Sequence, residues 1–172
     1  MKKNIAFKTA YYGVMLSIML IFSYVESLFV IPLPIPGIKL GLANLIAVLL
    51  ICSKDIPAAV LLNITRIILS GLLFGNVQGM LIGLSGGICS LIIMIILHKI
   101  PLFSVFGISM AGGAFHGAGQ ILAAAFLLGS PGVIIYLPYL AAAGLVTGGL
   151  IGALAAAILP RLTILFYNDP KE

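Results

Sequence analysis

Four ionisable side chains lie inside long apolar runs of this chain: Glu26, Lys39, Arg66 and His116. Such groups are costly in hydrocarbon and belong on an interior face or in a cavity. Polar neighbours accompany them. Asn63, Arg66 and Ser70 recur at i, i+3 and i+7, which is one stripe of a helix. His116 and Gln120 stand one helical turn apart, among Gly112, Gly113, Gly117 and Gly119, whose small size would leave room for a ligand. Asn44 follows Lys39 in the next apolar run, and Tyr136 and Tyr139 open the last one. Lys39 and Arg66 against Glu26 leave a surplus of one positive charge. That set suits an anionic or strongly hydrogen-bonding small molecule. Arg66 and Lys39 would attract the anionic group, His116, Gln120 and Asn44 would orient it, and Glu26 would offset the surplus charge or accept a donor. The alternative is an ion pair of Glu26 with Arg66 or Lys39 that ties helices together, beside a satisfied His116.

Other chemistries lack their residues. No G-x-x-x-x-G-K-[ST] loop is present to hold a nucleotide. The two aspartates, Asp55 and Asp169, make no aspartate-rich motif for Mg²⁺ on a diphosphate. The two histidines, His98 and His116, cannot build paired bis-histidine haem sites, and no Ser/His/Asp set is evident. Cys52 and Cys89 show no metal spacing and read as packing residues. The residues thus give no route to catalysis by this chain alone, and no metal or cofactor is expected.

The elements that must position these groups follow from composition. Of 172 residues, 62% are hydrophobic and 8% charged, where a soluble domain carries about 25% charged. The bulk of the chain must therefore face lipid, which excludes a soluble enzyme, a nucleic-acid module and a disordered tail. The net charge of +5 reads as a positive-inside bias rather than a nucleic-acid surface. Breakers divide the chain into six apolar spans, at about 8–29, 38–53, 57–74, 77–98, 104–129 and 133–159. The second and third are short and could be partly re-entrant. The expectation is an all-α integral membrane protein, one domain over residues 1–172, built as a six-helix transmembrane bundle in the cell membrane. The apolar run after Met1-Lys2-Lys3 is too long for a signal-peptide core and reads as an uncleaved first helix. With the N-terminus inside, Lys2, Lys3, Lys8, Lys54, Lys99, Arg161 and Lys171 fall on the cytoplasmic side and Lys39 alone on the outer side, so both termini are expected in the cytoplasm. Arg66, nine residues into its span, then lies about 13 Å deep, near the midplane.

Three rows of small residues recur at spacing four: Thr9-Gly13-Ser17, Gly79-Gly83-Gly87 and Gly144-Gly148-Gly152. Each lies on one helix face where backbones can approach closely. The last two read as packing within the bundle.

The run Pro36-Gly-Ile-Lys-Leu-Gly-Leu-Ala-Asn44, the run Arg66-Ile-Ile-Leu-Ser-Gly-Leu-Leu-Phe-Gly-Asn76, and the segments His116-Gly-Ala-Gly-Gln120 and Gly129-Ser-Pro131 resemble the Gx transporter family, also called heptaprenyl diphosphate synthase component I. Where that family often has Asn after its His, this chain has Gly117. The family is similar to the substrate-binding S components of energy-coupling-factor (ECF) transporters, six-helix membrane proteins that bind a vitamin-like ligand from outside. The resemblance implies a transmembrane coupling subunit and separate ATPases as partners. It also implies that Thr9, Gly13 and Ser17, or Ala6 and Ala10, form the docking face. A second reading stays open: a membrane component of isoprenoid or quinone-linked redox metabolism that does not transport. A self-sufficient proton-coupled carrier is a third.

Overall fold

A computed structural model of the chain describes residues 5–28 and 41–167. Six α-helices and one 3₁₀ turn follow in order: α1 Ile5–Leu28, α2 Asn44–Cys52, α3 Ile56–Phe74, α4 Val77–His98, α5 Val105–Leu127, the 3₁₀ turn Pro131–Tyr136, and α6 Leu137–Tyr167. Local chemistry sets these boundaries. Asp55 accepts from Ala58 N at 3.4 Å at the start of α3, where Pro57 fits the first turn. Asn76 accepts from Gly79 N at 2.7 Å to start α4, and Ser104 from Gly107 N at 3.3 Å to start α5. Gly129, at φ +60°, follows the end of α5.

Among the described residues, five helices are long and apolar enough to cross a membrane. The span expected over 38–53 is different. Among the described residues it is the nine-residue α2, rising about 13 Å, less than half of a ~30 Å hydrocarbon core. Its seven consecutive residues Leu45–Ile51 are all buried, so α2 is covered by protein on every side. Mean hydropathy cannot separate burial in protein from burial in lipid, and this is why the segment reads as a span. The last expected span, 133–159, divides into the 3₁₀ turn and α6.

The long helices form an arc in the order α1, α3, α4, α5, α6, and α2 packs inside it against all five. Between α1 and α6, the ends of the arc, no Cα atoms approach within 8 Å. The outer faces carry exposed Leu61, Leu72, Ile92, Phe126 and Val146, as a lipid-facing surface requires. Met19, Val48, Ile51 and Met94 fill the centre. At the α5–α6 contact the backbones nearly touch. A Cβ on Gly113 would meet the Gly144 carbonyl, one on Gly144 the Gly113 carbonyl, and one on Gly152 would lie 2.9 Å from Phe106 Cα. The row Gly144-Gly148-Gly152 is thus a packing seam. In the row Gly79-Gly83-Gly87, a Cβ on Gly87 would lie 2.5 Å and one on Gly83 3.5 Å from Ile67, so these two pack against α3, while Gly79 lines the larger cavity.

Candidate functional site

Arg66 lies on the inward face of α3, one turn after Asn63. Its Nη2 donates to Asn63 Oδ1 at 2.6 Å and to Asn44 Oδ1, at the start of α2, at 3.3 Å. Asn63 is only 1% exposed, so it serves as a support beneath the guanidinium rather than a surface open to a ligand. Arg66 Nε is enclosed and has no hydrogen-bond partner among the described residues. Glu26, near the end of α1, does not pair with it. The Glu26 carboxylate accepts from Leu42 N through Oε1 at 2.6 Å. No hydrogen bond joins Glu26 to Arg66 among the described residues, although the carboxylate lies near enough to act electrostatically on the guanidinium. Both charges are instead held by neutral groups.

Two cavities meet this cluster. One, of about 70 Å³, lies between the start of α2, α5 and α6, and Asn44, Gly113, Gly117 and Thr147 help to line it. The other, of about 240 Å³, lies between α1, α3 and α4, and is lined by Ser23, Ser27, Ser70, Phe74, Asn76 and Met80 among others. Glu26, Arg66, His116 and Gln120 line both. The larger approaches the ~300 Å³ at which small-ligand sites begin. A guanidinium that lines such a space can bind a carboxylate or phosphate oxygen.

A family model described as heptaprenyl diphosphate synthase component I matches residues 15–158. The chain belongs to that family. Comparison with curated proteins and with solved structures found no match. In this member of the heptaprenyl diphosphate synthase component I family, the match takes in Glu26, Asn44, Asn63, Arg66, Ser70, His116 and Gln120.

Six expected ligand residues of this family member, Glu26, Asn44, Arg66, Ser70, His116 and Gln120, line one or both cavities. Lys39 lies outside the described residues. Tyr136, 39% exposed in the 3₁₀ turn, lines neither cavity, and Tyr139 is also exposed. The glycines of α5 act chiefly as packing surfaces. A Cβ on Gly119 would lie 2.9 Å from both Cys89 Sγ and Ser85 O, and one on Gly112 would lie 2.6 Å from Met94 Sδ. Gly113 and Gly117 additionally form cavity wall. At 117 a Cβ would lie 2.8 Å from Leu140 O, so the wall there is backbone against backbone.

Sequence reasoning missed Ser23, Ser27, Asn76 and Thr147. A lone serine or threonine in an apolar helix gives little signal, because it commonly bonds back to its own helix. Thr147 Oγ1 donates in this way to Ala143 O at 3.0 Å. Asn76 reads as a helix breaker, and it does cap α4, but it also lines the larger cavity.

The expected docking face lies away from the site. Ala6, Thr9, Ala10, Gly13 and Ser17 are all exposed on α1, and a Cβ on Gly13 would meet nothing within 4 Å. Thr9 and Ser17 donate to Ile5 O and Gly13 O of the same helix, at 3.0 and 2.9 Å. Their hydroxyls are thereby satisfied on a face open to lipid or to another protein.

Proposed function

We propose that this chain is a substrate-capturing membrane subunit, resembling an ECF S component, that binds a small anionic or vitamin-like ligand at Arg66. One observation carries the reading. The half-buried Arg66 guanidinium is held by two side-chain amides beside cavities it shares with Glu26, His116 and Gln120. A charged group kept inside a membrane bundle beside a cavity marks a functional site. The two cavities act as lobes of one binding site, opening on the extracellular side. The excess of lysine and arginine in the segments assigned inside supports cytoplasmic termini in the cell membrane. The exposed face of Ala6, Thr9, Ala10, Gly13 and Ser17 suits a transmembrane coupling subunit, whose ATPases would supply the energy.

The test is native mass spectrometry of the gently purified full chain. Wild-type protein is expected to carry a small molecule that Arg66→Gln loses while keeping its helical content. The same molecule at the same occupancy in both proteins defeats the proposal. The family's description favours a second reading, a membrane component acting with a heptaprenyl diphosphate synthase. Copurification separates the two. An ATPase module retained by wild type and lost on Gly13→Leu supports transport, whereas a prenyl synthase in its place supports the second reading.

A further inference from the structure

We infer that the ligand of this site is dipolar, a zwitterion whose anionic end pairs with Arg66 and whose ammonium or amidinium end pairs with Glu26. This rests on the proposed ligand site and names its substrate class. Glu26 and Arg66 are the two charged residues among the described linings of both cavities. An ion pair that served only to join α1 to α3 would be closed. Here each charge is hydrogen-bonded by neutral groups instead, Glu26 by the Leu42 N–H and Arg66 by Asn44 and Asn63. Arg66 Nε has no hydrogen-bond partner among the described residues, and the Leu42 hydrogen bond engages one oxygen of the Glu26 carboxylate, Oε1.

The preference then follows from charge. A ligand bearing only negative charge would set two anions around one guanidinium in a site poor in water, and a simple cation would leave Arg66 uncompensated. A zwitterion satisfies both groups with charge-assisted hydrogen bonds and leaves the bundle neutral there. Because the protein already holds both partners in place, the ligand is spared the work of positioning them.

The experiment uses the full-length chain in nanodiscs and calorimetric titration with ω-amino carboxylates of increasing chain length. Alkanoates and alkylamines of the same lengths, and inorganic pyrophosphate, serve as comparison probes. At one or more lengths the amino carboxylate is expected to bind at least about tenfold more tightly than its matched alkanoate and alkylamine, the gain from one further charge-assisted contact. In Glu26→Gln that advantage disappears while the alkanoate binds as well as before or better. Equal or tighter binding of an alkanoate or of pyrophosphate in wild type, or failure of every amino carboxylate to bind, overturns the inference. If the winning anion is lost on Arg66→Gln, the anion site survives and only its dipolar character falls. If it is unaffected by that change, both fall. The wild-type comparison alone decides the matter should either variant fail to fold.

Discussion

Two asparagines hold Arg66, and they have different work to do. Asn63 is buried at 1% exposure and bonds Nη2 at 2.6 Å, whereas Asn44 bonds it at 3.3 Å and lines the smaller cavity. Asn63→Ala removes a hydrogen bond to a charged group and leaves a void. It is expected to cost about 1–3 kcal/mol, read as a lowered Tm of the detergent-solubilised protein. Asn44→Ala is expected to disturb Tm less and to reduce ligand occupancy in native mass spectra more. Equal effects on both readouts would mean that the two amides share one structural role. The stripe Asn63-Arg66-Ser70 was legible from spacing alone, because helical periodicity places i, i+3 and i+7 on one face. What spacing could not show is which member faces a cavity and which lies beneath. That depends on where α2 crosses α3, a tertiary fact. Ser23 and Ser27 escaped for the same reason: a helix presents serine identically to lipid and to a ligand.

Elements carry the site through close approach rather than through interlocking large side chains. On α4, a Cβ at Gly86 would lie 2.7 Å from both His116 O and Gln120 Cγ, so this glycine sets how near α5 brings its polar pair. Gly86→Ala is expected to weaken ligand binding by displacing His116 and Gln120 while the helices still form, checked by titration alongside circular dichroism. Gly144→Ala is harsher, since the added carbon meets backbone of α5 that no rotamer change can move. A loss of about 1–3 kcal/mol and poor recovery of folded protein are expected. Gly13→Ala, into open space, is the control. It should preserve or slightly raise Tm, since alanine favours the helix. The long spans were legible because runs of this length and hydropathy have few alternatives. The short α2 was not, because the same apolar letters describe a helix wrapped by protein and one wrapped by lipid.

At the scale of the whole molecule, α1 is the least embedded part of the bundle. Met19 and Ser23 are its two buried residues, and its packing partners are α3 and, more lightly, α2. Two clips fix it. Near its start Tyr12 donates to Asp55 at 2.6 Å, at the α2–α3 corner; near its end Glu26 accepts from Leu42 N, also at 2.6 Å. The edge-on contact of Tyr24 with Phe74, centroids 5.4 Å apart, reinforces the second clip. The two anchors are fourteen residues apart, about 21 Å along the helix, and only the second adjoins the cavities. Loosening them separately should therefore have different consequences. Tyr12→Phe deletes the first hydrogen bond and keeps the ring. Amide exchange is expected to quicken in the first half of α1, with α3 to α6 unchanged and ligand binding nearly intact. Glu26→Gln weakens the second anchor, so exchange should rise in the second half of α1 while binding falls. A uniform rise across all helices in either variant would show that α1 opens only with the whole bundle. A rise confined to α1 would make it a separately mobile element, carrying an exposed row of small residues on one face and one wall of the cavities on the other.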